Sequence, residues 1–444
     1  MPATPEPKVE REAVWQALVR LATLVAVGWL IAVAVYYVAT AVFRRALPID
    51  TVLFNPDRRF GDLVDSWRQA QNANPYIEGG RLGVAAHFPA LYLLLRAARD
   101  LSRDALVLVY LGLTFGGFAL GGYLYLRGQR ERFSGDARWP AVVFFVTLLG
   151  VLCYPLLFAV ERGNLDPLIA LLLVTALMLA RRERLLVGAL LVAVASALKG
   201  YPLAWLVLWL KRRSFGGVAL GLGATAALVL LPGLCFEGGV ATTLAGLQSG
   251  LSAFHEDYVV GWRSAHFSAD LINGWRMLAY WTEQPTDMRS VAHIYERLAV
   301  VWAAGLVFFA LFVARSLWRE LLAVVLVMLV FPHVTNDYKL VLLLPVLLAW
   351  LTAPGQGWRD RLFATATGLL MVPKHYFFIR HTDASFSCVM SPLLLVALSV
   401  TLWPTIEERE AFRVESRAAR ARLRTWTRFG KTTAREAHVA SSPI

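Results

Sequence analysis

Four stretches of this chain run without a charged residue for longer than a helix needs to cross a lipid bilayer. Leu21 to Phe43 is 23 residues, and Ala105 to Leu126, Trp139 to Val160 and Phe215 to Phe236 are 22 each. A span takes about 20 apolar residues for roughly 30 Å of hydrocarbon. Such runs exclude a soluble multidomain enzyme, a disordered chain and a fibrous repeat. Composition agrees, with 17% charged residues against about a quarter in an ordinary soluble domain. The expected fold class is an all-α polytopic membrane protein. The first run is too long for a signal-peptide core and no small-residue cleavage site follows it, so it reads as a retained first helix.

The net charge of +13 would suggest nucleic acid in a soluble protein. Here Arg and Lys cluster at the ends of the apolar runs, as the positive-inside rule places them, and no nucleic-acid partner is expected. Loops 127–138, 181–184, 211–213, 315–320 and 359–361 hold 14 Lys and Arg together, whereas 161–166, 198–201, 332–339 and 374–387 hold 5. The first set is read as cytoplasmic and the second as outer. The Arg-rich tail 404–444 is expected on the anionic cytoplasmic surface. Cys153, Cys235 and Cys388 have neither disulfide nor metal spacing, and packing is their expected role.

One arrangement satisfies these loops. Residues 1–14 are a cytoplasmic N-terminus, and 15–403 form one transmembrane domain of about 12 helices with both chain ends inside. Segment 44–104 is a first outer loop with interfacial helices, Phe88–Leu95 among them, and 237–297 is a second long outer loop. Within 185–210, Lys199 and a Gly-Tyr-Pro break predict a hairpin of two short helices with Lys199 at its tip. The other reading is one uninterrupted tilted span, which would invert everything downstream.

Polar chemistry then gathers on the outer side. Asp62, Asp65, His87, Arg162, Asn164, Asp166, Lys199, Asp337, Tyr338 and Lys339 are the candidate site residues, and seven of eight histidines fall there too. Charges near hydrocarbon are costly and mark function. Lys199, Arg162 and Lys339 suit a lipid phosphate, and an acidic residue of the first outer loop suits proton abstraction from a hydroxyl. With no phosphate-cradling glycine loop, a donor delivered outside would be lipid-linked. Lys374, His375, Arg380 and His381 form a further basic patch of the same kind.

Four stretches resemble the polyprenol-phosphate-sugar-dependent glycosyltransferases of the GT-C class, most closely its alpha-mannosyltransferase-like family. They are Phe60-Gly61-Asp62-Leu63 with Asn74-Pro75-Tyr76, then His87-Phe88-Pro89-Ala90-Leu91, then Arg162-Gly163-Asn164-Leu165-Asp166 with Ala197-Leu198-Lys199-Gly200-Tyr201-Pro202, and last Asn336-Asp337-Tyr338-Lys339. The resemblance covers about residues 15 to 350. It implies a GT-C-like bundle and an inverting transfer of a hexose, mannose by that family, from polyprenyl phosphate to a lipid or glycan acceptor on the outer side of the cytoplasmic membrane. It implies Asp62 as general base, with Asp65, one turn on, in reserve. No metal is expected. Asn336 and Asp337 stand where much of the family carries Trp and His. Two other functions stay open: a polysaccharide polymerase or ligase using a lipid-pyrophosphate donor, and a lipid flippase or transporter.

Overall fold

The computed structural model describes residues 8–43, 59–78, 81–82, 86–128, 147, 150–261, 268, 270–282, 287–330, 332, 334–351, 357–374 and 387–418. Most lie in helices; the strand pairings among them are a two-residue antiparallel pair, Ile77–Glu78 with Arg81–Leu82, and a single bridge between Ser268 and Asn336. Among the described residues three helices are long and apolar enough to cross a membrane alone: Arg103–Leu124, Phe215–Cys235 and Met288–Val313. A fourth candidate is the pair Ser387–Thr401 and Ile406–Ala418, bent by 60°. Large apolar side chains cover their outward faces, among them Leu108, Leu234, Val301 and Leu393, each more than half exposed. An apolar surface of that extent belongs against lipid, and the chain is a helical membrane protein.

The first charge-free run lies within one long helix, Lys8–Phe43, and most of 139–149 lies outside the described residues. Several of the other expected spans are shorter or interrupted, and the interruptions have local causes. Residues 154–162 start a new helix after Cys153, whose backbone is extended, with Pro155 in the first turn, where a missing N–H costs nothing. The stretch before the helix Leu344–Leu351 is a 3₁₀ helix, Asp337–Leu343. The second long loop departs most from its reading: it holds the helices Gly239–Phe254 and Leu271–Trp281, and the last long helix begins at Met288, inside it. Asp287 caps that start by accepting from Arg289 N, a local signal that the search for charge-free runs passes over.

The 185–210 stretch is a hairpin. Helix Leu185–Leu198 stops at Lys199, which is extended (φ −151°, ψ 113°), and the chain returns as a 3₁₀ helix, Tyr201–Leu206, and a short helix, Val207–Lys211. Trp209 Nε1 donates to Leu185 O at 2.8 Å, so the returning arm ends beside the start of the outgoing one. A Cβ on Gly188 would lie 2.8 Å from the Trp209 ring and 2.9 Å from Ala176 O. The small residue lets three helices close up, as in membrane packing generally. Helix Leu317–Val330 runs through the core, with Leu321 to Leu326 at most 1% exposed.

Contacts sort the loops into two ends. At one, Lys211 pairs with Glu320 at 2.8 Å and donates to Ala310 O and Ala314 O, while Arg359 Nε donates to Trp403 O. The candidate site residues collect at the other.

Candidate active site

The helix Gly61–Ala70 is held directly on the tip between helices Tyr154–Arg162 and Asp166–Arg181. Phe60 N donates to Glu161 O, and Phe60 itself is left-handed (φ 59°). Gly163 ends the preceding helix in the left-handed region (φ 69°), where a glycine carries no Cβ penalty. A Cβ there would lie 2.7 Å from Leu63 Cβ and 3.0 Å from Phe60 Cα. The Arg-Gly-Asn sequence therefore reverses the chain and lets the Asp62 helix sit against it.

This seat sets the geometry. Arg162 donates to Asp62 Oδ1 at 3.2 Å, and Asn164 Nδ2 donates to Asp62 Oδ2 at 3.0 Å. Asn164 Oδ1 accepts from Lys199 Nζ at 2.7 Å and from Asp166 N at 3.1 Å. Lys199 Nζ also lies 2.8 Å from Asp166 Oδ1, which accepts from the Tyr201 hydroxyl as well. Lys199 stands 5.7 Å from the Tyr338 ring centroid, and Lys339 Nζ 5.2 Å from that of Tyr201. Lys339 is anchored by donating to Val334 O at 2.8 Å. Tips distant in sequence thus meet at one cluster.

Exposure grades across it. The Asp62 and Arg162 side chains are 29% and 25% exposed, Lys199 14%, and Asp166 fully buried. A ligand would therefore meet Asp62 and Arg162 first, and Asp166 braces Lys199 from behind. His87, half-buried just before the helix Pro89–Ala97, lies at the same place: Tyr76 Oη donates to its carbonyl at 2.6 Å, and the Phe88 ring covers Gly200. Burial, helped by the Lys199 charge, lowers the imidazole to about 4 against the opposing pull of Asp62 and Asp166. The ring is neutral at neutral pH and offers hydrogen bonding rather than charge.

Two candidates stand apart. Asp65 points away, 77% exposed, with Arg68 as its neighbour at 3.7 Å. Asp337 is fully buried and accepts from Ser387 and Ser391, each at 2.9 Å, with Lys374 Nζ at 3.6 Å. Lys374 also donates to Leu370 O and Val372 O, so it anchors the fourth tip rather than an open basic patch. His375, Arg380 and His381 lie outside the described residues, as does His333. Tyr201 was not among the sequence candidates; its place two residues after Lys199, in the same helix break, is the signal that marks it. Among the described residues no three of His, Cys, Asp and Glu are grouped closely enough to hold a metal ion.

A family model described as "Glycosyltransferase family 87" matches residues 82–332. That stretch contains His87, Arg162, Asn164, Asp166, Lys199 and Tyr201; Asp62, Tyr338 and Lys339 lie outside it. No curated protein matches the chain.

Proposed function

The chain belongs to glycosyltransferase family 87, whose model covers more than half of it, and from that premise we propose that this membrane glycosyltransferase moves a hexose, mannose by preference, from polyprenyl phosphate to a lipid or glycan acceptor. The observation that carries the reading is the link between Asp62 and the Lys199 ammonium through Asn164, at the part-open end of the cluster. Asp62 takes the proton of the acceptor hydroxyl as that oxygen bonds to the anomeric carbon. The bond from that carbon to the phosphate oxygen breaks in line, and the anomeric configuration inverts. Lys199, Arg162 and Lys339 hold the phosphate and offset the charge it gains as it leaves. The positive charge comes from these side chains, and the reading assigns no metal.

The same reading takes the protein across the cytoplasmic membrane about twelve times in a GT-C-like bundle, with the cluster outward and both ends inside. The sorting of Lys and Arg among the loops supports it.

The test is transfer by the purified full-length protein in liposomes from radiolabelled polyprenyl-phosphate mannose. Asp62→Asn and Lys199→Met are each expected to lower it by about 10²-fold or more, the scale of a positioned base for the first and of a group that stabilises transition-state charge for the second. Full transfer by both variants would overturn the mechanism. Preference for a pyrophosphate-linked donor would point to a polymerase or ligase instead, and lipid movement without glycosidic product to a transporter.

A further inference from the structure

The end of the bundle away from the cluster carries a second, separate feature. Ser387–Thr401 is followed, after a break of four residues, by the helix Ile406–Ala418, turned by 60°. The turn is built by sequence. Thr405 Oγ1 accepts from Glu408 N at 3.1 Å and Glu408 Oε2 accepts from Thr405 N at 2.9 Å, a reciprocal capping box that starts the helix sharply.

One face of this helix is committed to the bundle. Glu408, 5% exposed, pairs with the buried Arg319, and Arg319 also donates to Thr401 O and Trp403 O. Glu415 pairs with Arg315 at 2.9 Å, and Phe412 meets Phe308 edge-on at 5.7 Å. Positions 408, 412 and 415 share one side of a helix, so the helix has a fixed rotation.

The side turned away from them holds Ile406, Glu407, Arg409, Glu410, Arg413, Val414 and Arg417. Ile406 is 75% exposed and Val414 66%. Trp403, just before the helix, is 61% exposed and lies under the Arg409 guanidinium at 5.6 Å. Three arginines against two glutamates, with Arg413 and Arg417 beyond both acids, interleaved with large apolar side chains at the exit of a span, is the composition of a helix that lies in a headgroup layer. We infer that this face binds anionic phospholipid in the leaflet opposite the cluster: the arginines take headgroup phosphates, and Ile406, Val414 and Trp403 enter the layer beneath. The inference does not depend on the transfer reaction.

Hydrogen exchange of the intact protein tests it, in nanodiscs of phosphatidylcholine alone and of equal parts phosphatidylcholine and phosphatidylglycerol. Amides of 406–418 are expected to exchange about tenfold more slowly in the anionic discs, since each arginine near such a surface adds attraction. The gap should narrow in high salt. Arg409→Gln/Arg413→Gln/Arg417→Gln leaves Glu408, Phe412 and Glu415 in place and is expected to abolish the gap while keeping the slow exchange of Leu321–Leu326. Equal exchange of the parent in both discs, or a gap that survives in the triple variant, overturns the proposal.

Discussion

Asp62 and Lys199 are joined through a single side-chain amide. Asn164 Nδ2 donates to Asp62 Oδ2 at 3.0 Å, and Asn164 Oδ1 accepts from Lys199 Nζ at 2.7 Å. The Asp166 N–H, also bound to Oδ1, fixes which end of the amide is oxygen, so Asn164 cannot flip without losing both donors. It sets the direction of the proposed base and the seat of the proposed phosphate cation together. Asn164→Asp would remove the donor to Asp62 and set a carboxylate against it. We expect transfer to fall by about 10²-fold, the lower range of positioned acid–base catalysis. Asn164→Ala leaves partners unpaired at roughly 1–3 kcal/mol, read as a lower unfolding temperature. Parental transfer by Asn164→Asp would show that the linkage is not used.

Gly163 makes the contact of the Asp62 helix geometrically feasible. Alanine there keeps a left-handed backbone at about 1–2 kcal/mol and presses on Leu63 Cβ and Phe60 Cα at 2.7 and 3.0 Å, a clash of roughly 1–3 kcal/mol if the backbone shifts. Gly163→Ala should lower the unfolding temperature in detergent and reduce transfer. Gly216→Ala, where a Cβ meets nothing within 4 Å, should do neither. Equal unfolding of Gly163→Ala and the parent would refute this account of the tip.

His87 gives the fold a dependence on acid. Its imidazole is lowered from 6.5 to about 4 by burial and the Lys199 charge. Above pH 6.5 the ring is neutral in both the folded and unfolded chain. Between pH 6.5 and about 4 the unfolded chain binds a proton that the folded one does not, so stability falls as pH falls through that window. His87→Gln should flatten the slope there. The readout is unfolding temperature against pH, and an unchanged slope in the variant would count against the assignment.

Part of the architecture was legible because hydrocarbon imposes it: the charge-free runs 21–43, 105–126 and 215–236 overlap long helices, whereas 139–160 breaks at Cys153, and Lys199 with Gly200, Tyr201 and Pro202 gave the hairpin that Trp209 closes onto Leu185. The helical content of 237–297 was less legible, since polar caps such as Asp287 carry no hydropathy signal. Within the site, residue types came through and partners did not. Arg162 and Asp62 are 100 positions apart, and nothing local states which acid a tip arginine will meet. Asp62 and Asp65 differ only by the rotation of one helix. That rotation follows from Leu63 and Val64 packing inward, a tertiary fact that leaves Asp65 outside the cluster.

Asp337 and Lys374 test whether the fourth tip is held from below. The pair is buried, at 0% and 1% exposure, and joins the 3₁₀ helix bearing Tyr338 and Lys339 to the end of helix Trp358–Leu370 and, through Ser387 and Ser391, to the following span. Removing one partner of a buried ion pair leaves an uncompensated charge and costs about 3–5 kcal/mol, whereas removing both costs much less. Lys374→Met should therefore destabilise strongly. Lys374→Met/Asp337→Asn should recover part of the loss, because the asparagine can still meet the two serine hydroxyls. Transfer should follow stability in both variants, since neither side chain touches the Asp62 cluster directly. Thermal unfolding of the two single variants and the double variant closes the cycle. Strictly additive losses would mean that the charges do not interact and that the tip is held by the serines alone.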